Sequence, residues 1–180
     1  MPEERATRVV ESREVYASNV FRVREDVIEL RGRRVSRKII VHPGAVAALP
    51  ILPDGRAVMV RQYRHGLGER LLEYPAGTLE PGEAPEACAA REMEEEAGYR
   101  AGRIIKLGPY YPSPGICTEI IHLFAATELV KTQSHLEPDE DIELEFHGFD
   151  EIVQMIRDGR IRDGKTIAAT AMWLWGKGER

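Results

Sequence analysis

Val20 to Leu30 alternates loosely between apolar and polar positions (Val20, Arg22, Val23, Arg24, Val27, Ile28), as a strand with one covered face does. Arg31-Gly32 supplies a turn and Val35 to Val41 returns as a second strand, so the first 42 residues read as β-rich. Ala45 to Leu52 is the longest apolar run. The turn residues Pro53-Asp54-Gly55 and then Arg56 to Arg61 follow it, and the pattern predicts a hairpin across that turn. A short strand at Leu71 to Tyr74 leads into the loop Pro75-Ala76-Gly77. The period then lengthens. Ala89, Met93 and Ala97 recur four apart and predict a helix from Glu83 to Ala97. Pro85 suits its first turn, where a missing N–H costs nothing, and Gly98 is placed to end it in a left-handed conformation. Strands are predicted at Ile104 to Leu107, Ile120 to Ala126 and Ile142 to Phe149. Helices follow at Asp150 to Arg157 and Thr166 to Trp175, separated by Gly159 and Gly164. Strands interleaved with a few helices in this order predict a mixed sheet with helices on its faces.

A chain of 180 residues suits one domain with a modest N-terminal extension. Its 43% hydrophobic and 31% charged residues are ordinary globular proportions, which argue for a real core and against disorder. The net charge of −5 argues against a nucleic-acid or anionic-membrane surface as the main partner. An anionic small substrate stays open, because bound divalent cations reverse the local field. Cys88 and Cys117 lie far apart with no CxxC pattern and read as buried thiols in a reducing cytosol. Residues 1–5 carry no apolar signal region, and the Ala45 to Leu52 run, broken by Pro50, falls far short of the ~20 residues of a membrane span. A cytoplasmic protein is expected.

The chemistry concentrates on the helix after Gly77. Glu83, Glu92, Glu95 and Glu96 fall within about four turns, with Glu92 and Glu96 four apart on one face and Glu95 close by. Like charges at that spacing repel, yet no lysine lies between Glu92 and Glu96. Hard divalent cations that take carboxylate oxygens relieve such repulsion. Arg91, four before Glu95, is placed to form an ion pair that orients the helix or its loop. The bland alternative is a solvated acidic face, and on the glutamates alone the two readings stand level.

The flanking residues change that balance. Gly77, Glu83, Arg91, Glu92, Glu95, Glu96 and Gly98 match all seven fixed positions of G-x5-E-x7-R-E-U-x-E-E-x-G-U. Met93 fills the first hydrophobic slot, while Tyr99 replaces the usual aliphatic residue at the last. At ordinary residue frequencies a chance match in this chain is on the order of one in ten thousand, so the pattern outweighs the bland reading. The segment resembles the Nudix box. The resemblance implies an α/β/α sandwich around a mixed sheet, an α+β fold, carrying the box as a loop-helix-loop. It further implies a metal-dependent pyrophosphohydrolase, with Glu92, Glu96 and the Ala76 carbonyl as metal ligands and Glu95 assisting. Pyrophosphate cleavage needs two phosphoryl groups neutralised, a water activated and a leaving phosphate stabilised, which Mg²⁺ ions (or Mn²⁺) supply.

Three further features resemble the ADP-ribose pyrophosphatase branch: Val60-Arg61-Gln62-Tyr63-Arg64 followed by Glu73-Tyr74-Pro75-Ala76-Gly77; Pro114, fifteen residues beyond Tyr99; and the acidic segment Glu137-Pro138-Asp139-Glu140-Asp141-Ile142. Alone, Arg61 and Arg64 read as edge-strand charges. In the branch's order, Arg64 becomes a diphosphate or adenosine contact, since guanidinium binds phosphate bidentately and stacks on purines. Arg61 and Glu73 enter the same substrate-binding set. Pro114 is otherwise an ordinary turn proline, and Glu119 either contacts a ribose hydroxyl or begins a strand. The resemblance puts a glutamate that serves as general base or extra metal ligand on a late loop, with Glu140 first and Glu137 and Asp139 as alternatives; a solvated acidic loop is the competing reading.

The five histidines show no HxH or HExxH spacing, which argues against zinc. In the resembling enzymes an N-terminal sheet builds a homodimer. Residues 1–42 would take that part here and residues 43–180 the catalytic domain, with Tyr16, Val20 and Phe21 as interface, adenine-facing or merely packing groups. The expected substrate is a nucleoside-diphosphate sugar, ADP-ribose first and GDP-mannose as the nearest rival. A non-catalytic ADP-ribose-binding regulatory domain is the rival of another class.

Overall fold

The computed structural model describes residues 7–136 and 141–176. Three antiparallel strands come first: β1 (Arg8–Ala17), β2 (Arg22–Leu30) and β3 (Arg33–Val41), ordered β1-β2-β3. Arg31 (φ 52°) and Gly32 (φ 73°) close the β2–β3 turn in the left-handed region. β2 and β3 fall where the alternation places them. β1 does not announce itself in the sequence, because all ten of its residues are exposed and no covered face imposes a period.

The rest of the chain runs β4 (Ala45–Pro50), β5 (Ala57–Arg64), β6 (Glu69–Glu73), β7 (Ala76–Thr78), α1 (Pro85–Ala97), β8 (Tyr99–Tyr110), β9 (Ile121–Lys131), β10 (Ile142–His147), α2 (Phe149–Arg157) and α3 (Gly164–Trp175). One sheet is ordered β7-β4-β9-β8 and is mixed, since β4 runs parallel to β9 while the other pairs are antiparallel. The other is antiparallel, ordered β10-β5-β6.

β4 explains the layering. Val46 and Ala48 pack with Cys88, Ala89 and Met93 of α1, whereas Ala47 and Leu49 pack with Ile152 and Met155 of α2 and Ala169 of α3. A strand covered on both faces reads as an unbroken apolar run rather than an alternating one. β9 divides in the same way, Phe124 and Ala126 toward α1 and Leu123 and Ala125 away from it. Each fully buried Leu or Met here contributes roughly 1.5–3 kcal/mol by leaving water. The expected α/β/α sandwich is present.

The expected hairpin from Ala45 to Arg61 is not. Its turn forms, with Leu52 N–H donating to Arg56 O at 2.8 Å and a lone antiparallel bridge from Ile51 to Ala57. Beyond it the strands part into different sheets. β4 is already paired with β9 over Ala45–Pro50 and with β7 over Ala45–Ala47, and Ala48 N–H goes to Pro75 O, so little edge remains for β5. Among the described residues no helix is long and apolar enough to cross a membrane.

Candidate active site

Helix α1 carries its apolar stripe and two of its carboxylates on the same face. Cys88, Ala89, Met93 and Ala97 are buried there, and so are Glu92 (9% exposed) and Glu96 (3% exposed). Pro85 stands in the first turn and Gly98 ends the helix at φ 67°, its N–H donating to Glu94 O. Buried carboxylates require compensation. Glu96 Oε2 accepts the Ala76 N–H at 3.0 Å, which ties the helix to the start of β7. Glu92 lies against Gly77, where a side chain has no room.

Arg91 organises the remaining acids. Its Nε and Nη2 donate to the two oxygens of Glu83 at 3.0 and 3.1 Å, and its Nη1 donates to Glu92 Oε1 at 2.7 Å and Glu95 Oε2 at 3.0 Å. Hydrogen bonds from Arg91 are the main cause that holds the Glu83 carboxyl down to about 2, and the Glu83 contact in turn raises Arg91. Burial, followed by the neighbouring Glu83, pushes the Cys88 thiol up to about 12, so this cysteine stays protonated and inert. One guanidinium, Arg91, thus contacts three carboxylates, and Glu96 lies beside them on the same helix face.

These groups open into a cleft of about 290 Å³ lined by Gln62, Arg64, Ala76, Gly77, Thr78, Glu80, Arg91, Glu92, Glu95 and Glu96. Six positions expected from the sequence therefore meet in one place: Arg64, Ala76, Arg91, Glu92, Glu95 and Glu96. Hard oxygen donors in an acidic cleft are the chemistry a divalent cation takes. Among the described residues no three His, Cys, Asp or Glu side chains converge as a ready metal site; Arg91 holds Glu92 and Glu95, and the Ala76 N–H holds Glu96. By chemistry the oxygen donors that could hold a divalent metal here are Glu92, Glu95, Glu96 and the backbone at Ala76.

The other expected residues lie elsewhere. Arg61 alternates to the opposite face of β5 from Arg64 and pairs with Glu145 of β10. Glu73, 1% exposed, stands behind Arg64 rather than in the cleft, accepting Arg64 Nε at 2.8 Å and Nη2 at 2.7 Å. Burial works to raise the Glu73 carboxyl, but the Arg64 hydrogen bonds and the Lys165 charge hold it below its ordinary value. Pro114 sits in an exposed turn that docks on β3, where Ile40 N–H donates to Ile116 O at 2.8 Å. Glu119 follows that turn, with Oε1 3.6 Å from His42 Nδ1. Glu137, Asp139 and Glu140 lie outside the described residues.

Three residues escaped the sequence reading. Gln62 lines the cleft two positions before Arg64, where the strand period alone points to it. Glu80 lines it from the loop before α1, its N–H donating to Glu83 Oε2 at 3.0 Å. Lys165, on α3, reaches Glu73, and no local pattern signals a contact between residues 92 positions apart. A larger cavity of about 640 Å³, lined by Ser18 to Arg22, His42 and Pro81 among others, adjoins the cleft at Thr78.

The sequence pattern of the NUDIX domain matches residues 41–170. The chain belongs to the Nudix family. Among its relatives, the ADP-ribose pyrophosphatase of Bacillus subtilis (strain 168) is 35% identical over 165 residues, covering 90% of this chain and 89% of that one. The methanol dehydrogenase activator of Bacillus methanolicus is 39% identical over the same length and shares. The GDP-mannose pyrophosphatase of Yersinia enterocolitica serotype O:8 / biotype 1B (strain NCTC 13174 / 8081) is 37% identical over 169 residues, covering 86% of this chain and 88% of that one. The fold is shared with a solved ADP compounds hydrolase at a TM-score of 0.85 and 21% identity, over 96% of this chain and 95% of that one. The chain is accordingly a Nudix hydrolase, of a family that generally works with divalent metal ions.

Proposed function

We propose that this hydrolase cleaves the pyrophosphate bond of ADP-ribose to AMP and ribose 5-phosphate with Mg²⁺, Mn²⁺ being an alternative ion. The observation that carries the reading is the cleft itself. It sets Gln62 and Arg64, from a strand outside the box, beside Glu92, Glu95 and Glu96. The likeness to a named ADP-ribose pyrophosphatase across nine-tenths of the chain supports the same substrate.

Glu92, Glu95, Glu96 and the backbone of Ala76 hold the metal, which when bound neutralises the diphosphate and makes a water nucleophilic near neutral pH. Arg91 keeps Glu92 and Glu95 in place and links them to Glu83, which fixes the ligand geometry before substrate arrives. Arg64 presents a guanidinium edge to the diphosphate and orients it over the carboxylates. The base that takes the proton of the attacking water comes from the acidic segment 137–140, Glu140 first.

We further infer a homodimer built on the N-terminal sheet, supported by a β1 that is exposed along its whole length with Val9, Val15 and Tyr16 uncovered. The two free thiols support a reducing compartment, the cytoplasm.

A Mg²⁺-dependent hydrolysis panel across ADP-ribose, nucleotide sugars and dinucleotides tests the substrate. ADP-ribose is expected to give the highest kcat/KM. The likeness to a GDP-mannose pyrophosphatase keeps that sugar nucleotide as the second reading, and a large excess of kcat/KM for GDP-mannose would replace the first. Binding of ADP-ribose with no hydrolysis of any compound would make the chain a ligand-binding regulator instead.

A further inference from the structure

Arg64 does not enter the cleft unaided. Its Nε and Nη2 form a two-pronged pair with Glu73, and that pair leaves Nη1 out. Glu73 is almost wholly buried, and one of its oxygens, Oε2, is shared between Arg64 Nη2 and Lys165 Nζ. Lys165 also donates to Asp163 Oδ1 at 3.0 Å. Asp163 caps α3 through Thr166 N–H at 2.9 Å, and Thr166 Oγ1 accepts the N–H of Tyr74 at 3.0 Å. The start of α3 is thus bolted to the end of β6 at Glu73 and Tyr74.

The charges within this cluster balance, two acids against two bases. Lys165 and Asp163 are 12% and 14% exposed at the side chain, whereas Arg64 is 37% exposed and lines the cleft. Removal of Lys165 would leave Glu73 and Asp163 with Arg64 as the one remaining cation of this cluster among the described residues. The Arg64 guanidinium would then be drawn inward onto two carboxylates, with less positive charge left for an anion outside.

We propose that Lys165 is a positioning residue for the diphosphate site: by sharing Glu73 it lets Arg64 keep a cationic edge turned to the cleft. Glu73 then acts through Arg64 and not on the substrate. The inference rests on the reading that Arg64 meets the diphosphate.

The full-length protein with Mg²⁺ and ADP-ribose provides the test. In Lys165→Met, KM for ADP-ribose should rise by about tenfold or more while kcat at saturation stays within about threefold, because the box is intact. Calorimetric titration of ADP-ribose into the metal-free protein should show the same weakening. Lys165→Arg should restore KM, and adding Lys165→Met to Arg64→Gln should cost nothing further. Lys165→Gln, which keeps a donor but no charge, carries the same test if the methionine variant does not fold. An unchanged KM in a folded Lys165 variant, beside a raised KM in Arg64→Gln, overturns the inference. So does a fall in kcat that Lys165→Arg does not rescue, which marks a general packing role. If Arg64→Gln itself leaves KM unchanged, the Arg64 reading fails first and the role of Lys165 falls with it.

Discussion

Gly77 and the Glu92 carboxylate are in such close contact that a Cβ at position 77 would stand 1.9 Å from Glu92 Oε1 and 2.0 Å from its Cδ. The glycine that opens the box is therefore a seat for the Glu92 carboxylate, which we propose binds the metal. In Gly77→Ala, Glu92 must swing away or the loop must shift, at a cost of about 1–3 kcal/mol. Mg²⁺ affinity should fall by about tenfold or more, measured by metal titration of activity and by calorimetry. Unchanged metal affinity in a folded variant would separate Gly77 from the site.

Glu96 is 3% exposed and is held by the Ala76 N–H, so Glu96→Gln keeps the shape and the acceptor but removes a charge. Mg²⁺-dependent hydrolysis should drop on the order of a hundredfold, while circular dichroism and ADP-ribose binding stay close to wild type. Chelation of the metal from the wild type should reproduce the loss. A variant that keeps full kcat would exclude Glu96 as a ligand.

For the segment 137–140, Glu140→Gln is expected to lower kcat with little change in KM, as removal of a group used only in the transition state does. Glu137→Gln and Asp139→Asn, measured beside it, identify the base by the largest fall. Nearly full kcat in Glu140→Gln would remove that residue from the mechanism.

His147 bridges the end of β10 to α2, with Nε2 2.8 Å from Glu145 Oε2 and Nδ1 2.9 Å from Glu151 Oε2. Burial works to lower its pKa, but the two carboxylates prevail and raise it above 6.5. A raised folded-state pKa contributes stability that is complete below the unfolded value and is lost as pH rises through the folded value. The Tm difference between wild type and His147→Asn should be largest near about pH 6 and shrink on the alkaline side. A difference that is flat across this window would show that His147 acts by packing alone.

The three-stranded N-terminal sheet leaves β1 uncovered, so the dimer reading predicts a solution mass of twice 20.3 kDa. Removal of residues 1–42 should give a monomer with much reduced activity. A single-chain mass for the intact protein, by sedimentation or light scattering, would remove the dimer.

The box was legible in the sequence because its parts are local. A helix brings Glu92, Glu95 and Glu96 together by its own period, and Pro85 and Gly98 mark its ends by backbone rules that need no partner. The sandwich was legible for a related reason, since one face of α1 and the unbroken apolar run of β4 each demand cover. Gln62 was within reach of the same reasoning, two positions from Arg64. The partners of each strand were not. The Pro53-Asp54-Gly55 turn is real, yet β4 gives its edges to β7 and β9, and a turn signal carries no information about which edge is free. The surroundings of Arg64 were likewise a tertiary decision. Arg61 and Arg64 look alike in sequence, but strand alternation and the arrival of Lys165 from α3 turn one toward Glu145 and the other to the cleft. Local spacing determined where the acidic residues of the cleft lie; long-range pairing decided that Arg64 and not Arg61 lines it with them.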